Sequence, residues 1–253
     1  MYRKRSLALL LLVGLVAGCG GEQRQAAGRD QQIAELRAEK QQLDAKRQEL
    51  TAAREELAAL EEQEGTGEQR PALEQRIGRL EEEVDSAAEQ FGGELVGYIN
   101  SLEILQGEPL TEEQREAIRM KSEEDLHVAR EWIEKGGDYR RAIEIYESQL
   151  SWDPDYEALQ QALAEAEERR YMTEERFSQV RKGMTPREVR DILGPVNLHN
   201  VVEYPEKNVE AWFYPKQGGG AAGVYFQKEA DSEVLRVYQL SSDVRSGEQQ
   251  QGA

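Results

Sequence analysis

The stretch GMTPREVRDILGP, residues 183–195, specifies a local structure almost completely. Thr185 is a helix N-cap type, Pro186 falls at the first helical position, and Glu188 stands three residues after the cap, where its carboxylate can reach back to the cap backbone. Met184 and Val189 occupy the two positions of a hydrophobic staple. The helix should bury Val189, Ile192 and Leu193, and Gly194 and Pro195 end it. Upstream, Thr173 caps a short helix carrying Phe177 and Val180, with Gly183 as its left-handed terminator. Downstream the apolar period changes from three or four to two. Residues 197–203, 209–214, 223–228 and 234–240 read as strands rich in Val, Tyr, Phe and Trp, with turns at Pro205 to Asn208, at Gly218 to Gly220 and near Asp231. The C-terminal part is therefore expected to be a small ααβββ(β) domain with an antiparallel sheet. The whole chain is expected to be α+β.

Between residues 94 and 172 the pattern is helical. Leu95 to Leu105 reads as a short helix after Gly92 and Gly93, closed by Gly107 and Pro109. Thr111 and Gln114 form a capping box for the next helix, whose apolar positions include Leu126, Ala129 and Ile133. Gly137, Asp138 and Tyr139 make a turn. A further helix follows, with Ala142, Ile145, Tyr146 and Leu150 on its buried face, stopped at Asp153 and Pro154. Small Ala142 lets two helices cross closely, Tyr146 fills the space beside it, and Pro154 cannot continue the helix. Gly137, Tyr139, Ala142, Tyr146 and Pro154 resemble the turn glycine, turn aromatic, crossing alanine, packing aromatic and terminal proline of a tetratricopeptide repeat. Gly136 adds a residue before the turn. Leu163 and Ala164 fall where the next repeat's first helix would place them, but no second turn follows. A single unit of this kind must pack on neighbouring helices. The resemblance implies binding of a protein or peptide.

From about residue 31 to 63 the chain is almost wholly Ala, Leu, Glu, Gln, Arg and Lys, with Leu36, Leu43, Leu50 and Leu57 every seven residues and Ile33 a turn earlier. This periodicity predicts a long helix with a coiled-coil seam. The second seam position is held either by Lys40, Arg47 and Arg54 or by Glu39, Lys46, Ala53 and Leu60, which leaves register and strand number open. Gly65, Thr66, Gly67 and Pro71 interrupt it. Leu73, Ile77, Leu80, Val84, Ala87 and Phe91 then alternate spacings of four and three, so a second helix is expected to fold back, giving a helical hairpin over residues 31–91. Such a hairpin can be a solvated spacer about 50 Å long at 1.5 Å per residue, or a docking and self-association stalk.

The N-terminus reads as a targeting segment. Arg3, Lys4 and Arg5 form a basic region, residues 7–17 an apolar stretch too short to span a membrane, and Ala17 and Gly18 lead into Cys19, the only cysteine. Val16, Ala17, Gly18 and Cys19 resemble the lipobox of bacterial lipoproteins. That resemblance implies removal of residues 1–18, diacylation of the Cys19 thiol and acylation of the new amino group. Gly20 after the cysteine implies the outer membrane, with the mature body facing the periplasm. Residues 19–30, polar and rich in Gly, Gln and Arg, read as a flexible tether, and residues 241–253 as a disordered tail.

The C-terminal segment, about residues 173–240, resembles the BamE (SmpA/OmlA) domain of small outer-membrane lipoproteins. The residues that carry the likeness are Gly183, Met184, Thr185, Val189, Leu193, Gly194 and Pro195, then Trp212 and Tyr214, then Val224 and Phe226. Pro195 directly follows Gly194, where the family has a residue between them. The family resemblance implies an accessory role in assembly of outer-membrane β-barrel proteins, with barrel-assembly components as partners. The motif residues themselves read as caps and core.

Charge narrows the partners. With 50 acidic and 32 basic residues the chain carries −18, and loss of Arg3, Lys4 and Arg5 makes it three charges more negative. Nucleic acid and anionic lipid surfaces reward basic patches and fit such a chain poorly. Partners are instead expected to be the membrane through the lipid, other envelope proteins and further copies of the chain. No metal or cofactor is expected beyond the covalent lipid. His127 and His199 lie on different predicted elements, Gly218 to Gly220 lack the Lys and Ser or Thr of a phosphate loop, and Asp153 to Asp155 lack an EF-hand pattern, so the sequence reads as a non-enzyme.

Overall fold

The computed structural model describes residues 19–61, 69–105, 108–228 and 234–244. Residues 1–18, read as a targeting segment, Gly65 to Gly67, read as a break, Asp231, read as a turn, and residues 245–253, read as tail, lie outside these residues. The chain divides into two compact units between Tyr98 and Ile99.

The first unit holds two long helices, α1 (Cys19–Glu61) and α2 (Arg70–Ser101). They run antiparallel, because Lys46 meets Glu83 at 2.5 Å, Arg54 meets Glu81 at 2.7 Å and Arg76 meets Glu56 at 3.5 Å, higher numbers on one helix facing lower numbers on the other. Ile33, Leu36, Leu43, Leu50 and Ala53 of α1 and Leu73, Ile77, Leu80, Val84, Phe91, Leu95 and Tyr98 of α2 are buried along the pair. Leu57 is only half-buried.

Three expectations change in this region. Residues 19–30 are helical from Cys19 onward rather than a tether. Pro71 does not break the chain but sits in the first turn of α2, where its missing N–H has no helical partner to lose. Gly92 and Gly93 do not separate two elements, so the boundary at residues 91–94 and the separate helix at Leu95 to Leu105 give way to one continuous α2. Two interior glycines cost about 1 kcal/mol each relative to alanine. Burial of Phe91, Leu95 and Tyr98 on one face, at about 1.5–3 kcal/mol for each large apolar side chain, outweighs that cost.

The second unit begins with α3 (Glu112–Gly136), α4 (Tyr139–Leu150) and α5 (Glu157–Arg169). The Thr111 capping box forms in both directions, and Gly137 closes α3 in the left-handed conformation at φ 60°. Asp138 caps α4 by accepting from the Arg141 N–H at 3.0 Å. Leu126 and Ala129 pack with Tyr139, Ala142, Ile143, Tyr146, Leu159, Ala162 and Ala166. The buried face of α4 therefore includes Ile143, while Ile145 and Leu150 are only partly covered, and on α5 the buried small residues are Ala162 and Ala166, with Ala164 exposed. Asp153, in the turn after α4, takes both guanidinium arms of Arg119 at 2.5 and 2.9 Å, and the Pro154 carbonyl accepts from Gln160.

Two short helices follow, α6 (Glu174–Phe177) and α7 (Pro186–Leu193), then a four-stranded antiparallel meander. Its strands are β1 (Val201–Tyr204), β2 (Val209–Pro215), β3 (Ala221–Lys228) and β4 (Leu235–Val244), in that spatial order. The fold is thus mixed helix and antiparallel sheet. The Thr185 capping box is complete, and Gly194 takes φ 84° at the end of α7.

The details differ from the sequence pattern in four places. Val180 lies beyond α6, and Gly183, at φ 89°, closes no helix but donates its N–H to the Val237 carbonyl at 2.8 Å. Ile192 is only partly buried. Residues 198–200 form a short 3-10 turn because Asn197 Oδ1 accepts from the His199 N–H at 3.0 Å, so the first strand starts at Val201. Finally β4 runs to Val244, which pairs with Ala221 and is buried, so residues 241–244 are strand rather than tail.

One face of the sheet packs on α6 and α7 through Trp212, Tyr214, Ala222, Val224, Phe226 and Val237 against Val180, Val189, Leu193 and Val196. Trp212 and Phe226 have ring centroids 4.6 Å apart. The helical segment 94–172 and the segment 173–240 do not separate into two compact units, since everything from Ile99 onward falls in one.

Candidate functional site

The α3–α4 turn meets the α7–β1 loop at backbone distance. A Cβ at Gly137 would lie 2.2 Å from the Val196 carbonyl oxygen, and one at Gly194 would lie 2.4 Å from the Tyr139 hydroxyl. Only glycine fits at either position, and both take positive φ. Asn197 Nδ2 donates to the Gly137 carbonyl at 3.4 Å, Tyr214 Oη donates to the Gly194 carbonyl at 3.2 Å, and the Met172 N–H donates to the Pro215 carbonyl at 2.8 Å. These contacts fasten the helical layer to the sheet.

A cleft of about 390 Å³ opens along this junction. Gly137, Tyr139, Leu193, Pro195 and Tyr214, singled out in the sequence as packing residues of two separate segments, all line it. Sequence reasoning missed Arg140, Arg169, Arg170 and Tyr171 on its walls, and the exposed His199 also lines it. Arg140 comes from the first turn of α4, and Arg169 and Arg170 from the end of α5. Asp138 is the single carboxylate among the lining residues, and it is engaged as the α4 cap. Burial pushes the Tyr139 hydroxyl above its ordinary pKa, and Arg169 and Arg176 pull partly the other way. Burial raises Tyr214 far further, so both phenols stay protonated, and Tyr214 keeps its bond to the Gly194 carbonyl.

The other motif residues lie elsewhere. Ala142 and Tyr146 are in the helical core, Pro154 is in the turn after α4, and Val189, Trp212 and Phe226 are in the sheet core. Gly183, Met184 and Thr185 form the approach to α7, and Cys19 is the first residue of α1.

A second concavity, about 300 Å³, lies between α3 and α4 and is lined by Asp125, Arg141, Glu144, Ile145, Ser148 and Gln149. On α3, Val128 and Trp132 stand one turn apart and are 43% and 44% exposed. The Arg141 guanidinium lies 5.7 Å from the Trp132 ring centre. A large indole left in solvent beside a groove is the kind of group that anchors protein interfaces.

Comparison of the chain with protein-family models, with curated proteins and with solved structures finds no match. Among the described residues, no helix is long and apolar enough to cross a membrane.

Proposed function

We propose that the chain is a lipid-anchored envelope lipoprotein that serves as a protein-interaction scaffold or accessory factor, with outer-membrane protein assembly as the process it assists. The observation that carries the interaction reading is the exposed Val128 and Trp132 pair on α3 beside the α3–α4 groove. Aromatic anchors flanked by polar groups supply most of the free energy of protein interfaces, and burying Trp132 against a partner would offset the cost of leaving it in water. The anchor reading rests on the order of basic, apolar and small residues before Cys19, and the assembly reading on the BamE-like residues from Gly183 to Phe226.

The alternative is a structural tether that self-associates through its coiled coil. It has less support, because α2 already covers Leu36, Leu43 and Leu50, the residues that would drive pairing of α1 with a second copy.

The test is affinity purification of the full chain from detergent-solubilised membranes of its host. Recovery of barrel-assembly components, reduced at least severalfold by Trp132→Ala, is the expected outcome. Purification that returns no barrel-assembly component removes the specific version of the proposal.

A further inference from the structure

The junction cleft has a charge opposite to that of its chain. Across 253 residues acids outnumber bases by 18, yet the cleft gathers Arg140, Arg169 and Arg170 with His199 around a single carboxylate, Asp138. Arg169 and Arg170 are in part explained by position, since cations at a helix C-terminus gain about 0.3–1 kcal/mol from the helix dipole. Arg140 has no such reason. It stands in the first turn of α4, where the dipole is positive and a cation is disfavoured.

The lining offers few internal partners for these groups. Arg140 pairs with Glu144, one turn along α4 and outside the cleft lining, at 2.8 Å. The Arg170 guanidinium lies 5.0 Å from the ring centre of Tyr171, a cleft residue with no negative charge to give at neutral pH. Arg169 acts on the Tyr139 phenol and has no carboxylate partner among the described residues. Arg169 and Arg170 thus bring two positive charges to the lining without a carboxylate partner there, and an anion placed between them would supply one.

We propose that this cleft binds a small doubly charged oxyanion, a phosphate monoester or a dicarboxylate, with Arg169, Arg170 and Arg140 as its cationic ligands and His199 at its rim. Guanidinium forks match carboxylate and phosphate oxygens in bidentate geometry, and such bonds are roughly twice as strong as neutral ones. The 390 Å³ volume lies at the small end of ligand pockets, which span roughly 300–1,000 Å³. Net charge also selects for size. A ligand that fits within about a Debye length, about 8 Å at physiological ionic strength, feels chiefly the cleft, whereas a longer polyanion also meets the acidic surface of the chain. The neutral Tyr139 end, Asn197 and Asn200 supply uncharged hydrogen-bonding groups, and Tyr171 an apolar wall for the body of the ligand.

The site is independent of the α3–α4 groove, so either reading can fail without the other. The test titrates inorganic phosphate and, separately, succinate into the full-length protein at low ionic strength, followed by calorimetry and by backbone amide shifts. Saturable binding of at least one probe, with shifts at residues 137–140, 169–172 and 195–200, is the expected result. The better-bound probe assigns the phosphate or the dicarboxylate class, and equal binding assigns the shared dianion. Arg169→Gln and Arg170→Gln, each with an unchanged circular dichroism spectrum, should weaken binding about tenfold. Lys182→Gln, which removes an equal charge from an exposed position outside the cleft, should leave it unchanged. The absence of saturable binding by both probes, or binding that survives both arginine substitutions or falls equally with Lys182→Gln, overturns the proposal.

Discussion

Leu43 in α1 and Trp212 in β2 are almost equally withdrawn from solvent, at 1% and 2% exposed, but their surroundings differ in kind. Leu43 is one rung of a repeating seam whose neighbours are other leucines a heptad away, and the ion pairs beside it, such as Lys46 with Glu83, are exposed and contribute little. Trp212 sits among side chains from two helices and three further strands, under the Arg190 guanidinium and against Phe226. A seam can lose one rung and keep its register. A core assembled from many elements has no substitute for its largest member.

The largest expected effect follows from that contrast. Trp212→Ala should cost about 3–5 kcal/mol, the range for emptying a large aromatic site. Segment-resolved hydrogen exchange should show protection lost from α6 to β4 and retained in α1 and α2. Leu43→Ala should cost about 2–3 kcal/mol and raise exchange in the hairpin alone. Exchange that rises in both regions for either variant would show that the two units do not unfold separately.

Glu39 in the hairpin and Glu188 in the second unit respond to pH with opposite sign. In the hairpin, burial raises the pKa of Glu39, and the facing Glu94 carboxyl and Glu35 add to the effect. A carboxyl whose folded pKa is raised gives stability that is complete below the ordinary carboxylate range and lost as pH rises through the folded value. Glu39 should therefore contribute protection that is lost from acid toward neutral pH, against the opposite contribution of Glu83, which its hydrogen bond from Lys46 holds below the ordinary pKa, and Glu39→Gln should remove the first alone. In the second unit, hydrogen bonds from the Thr185 backbone and hydroxyl lower the pKa of Glu188. Its contribution is present above the ordinary carboxylate range and fades as pH falls through the folded value. Thr185→Ala should remove this and cost about 1 kcal/mol, read at the α7 amides. Changes on Glu39→Gln and on Thr185→Ala that follow pH with the same sign would contradict these assignments.

The smallest effect concerns Gly93. Nothing lies within 4 Å of the Cβ it would carry, and it is exposed in the interior of α2. Gly93→Ala should stabilise the hairpin by about 0.5–1 kcal/mol.

The same contrast explains what could be read from sequence. The start of α7 was legible because Thr185, Pro186 and Glu188 satisfy each other within four residues. The continuity of α2 was not, because glycine propensity is local whereas the burial of Leu95 and Tyr98 that overrides it depends on α1 lying alongside. The strands were legible in number, but β4 was read four residues short because the pairing of Val244 with Ala221 is set across the sheet. Of the cleft, the glycines and aromatics carried a signal through their turn and packing roles. Arg140 and Arg169 did not, since they are 29 positions apart and converge only when α4 packs on α5.

Cys19 begins α1 directly, so a lipid on it would join the membrane to a helix without a polar tether between them. The most direct test of the lipid-anchor reading is fractionation of cells that express Cys19→Ser beside the unaltered chain. Release of a folded protein into the soluble envelope fraction, with the unaltered chain in the outer membrane, is the predicted result. A Cys19→Ser protein that stayed fully membrane-bound would contradict it.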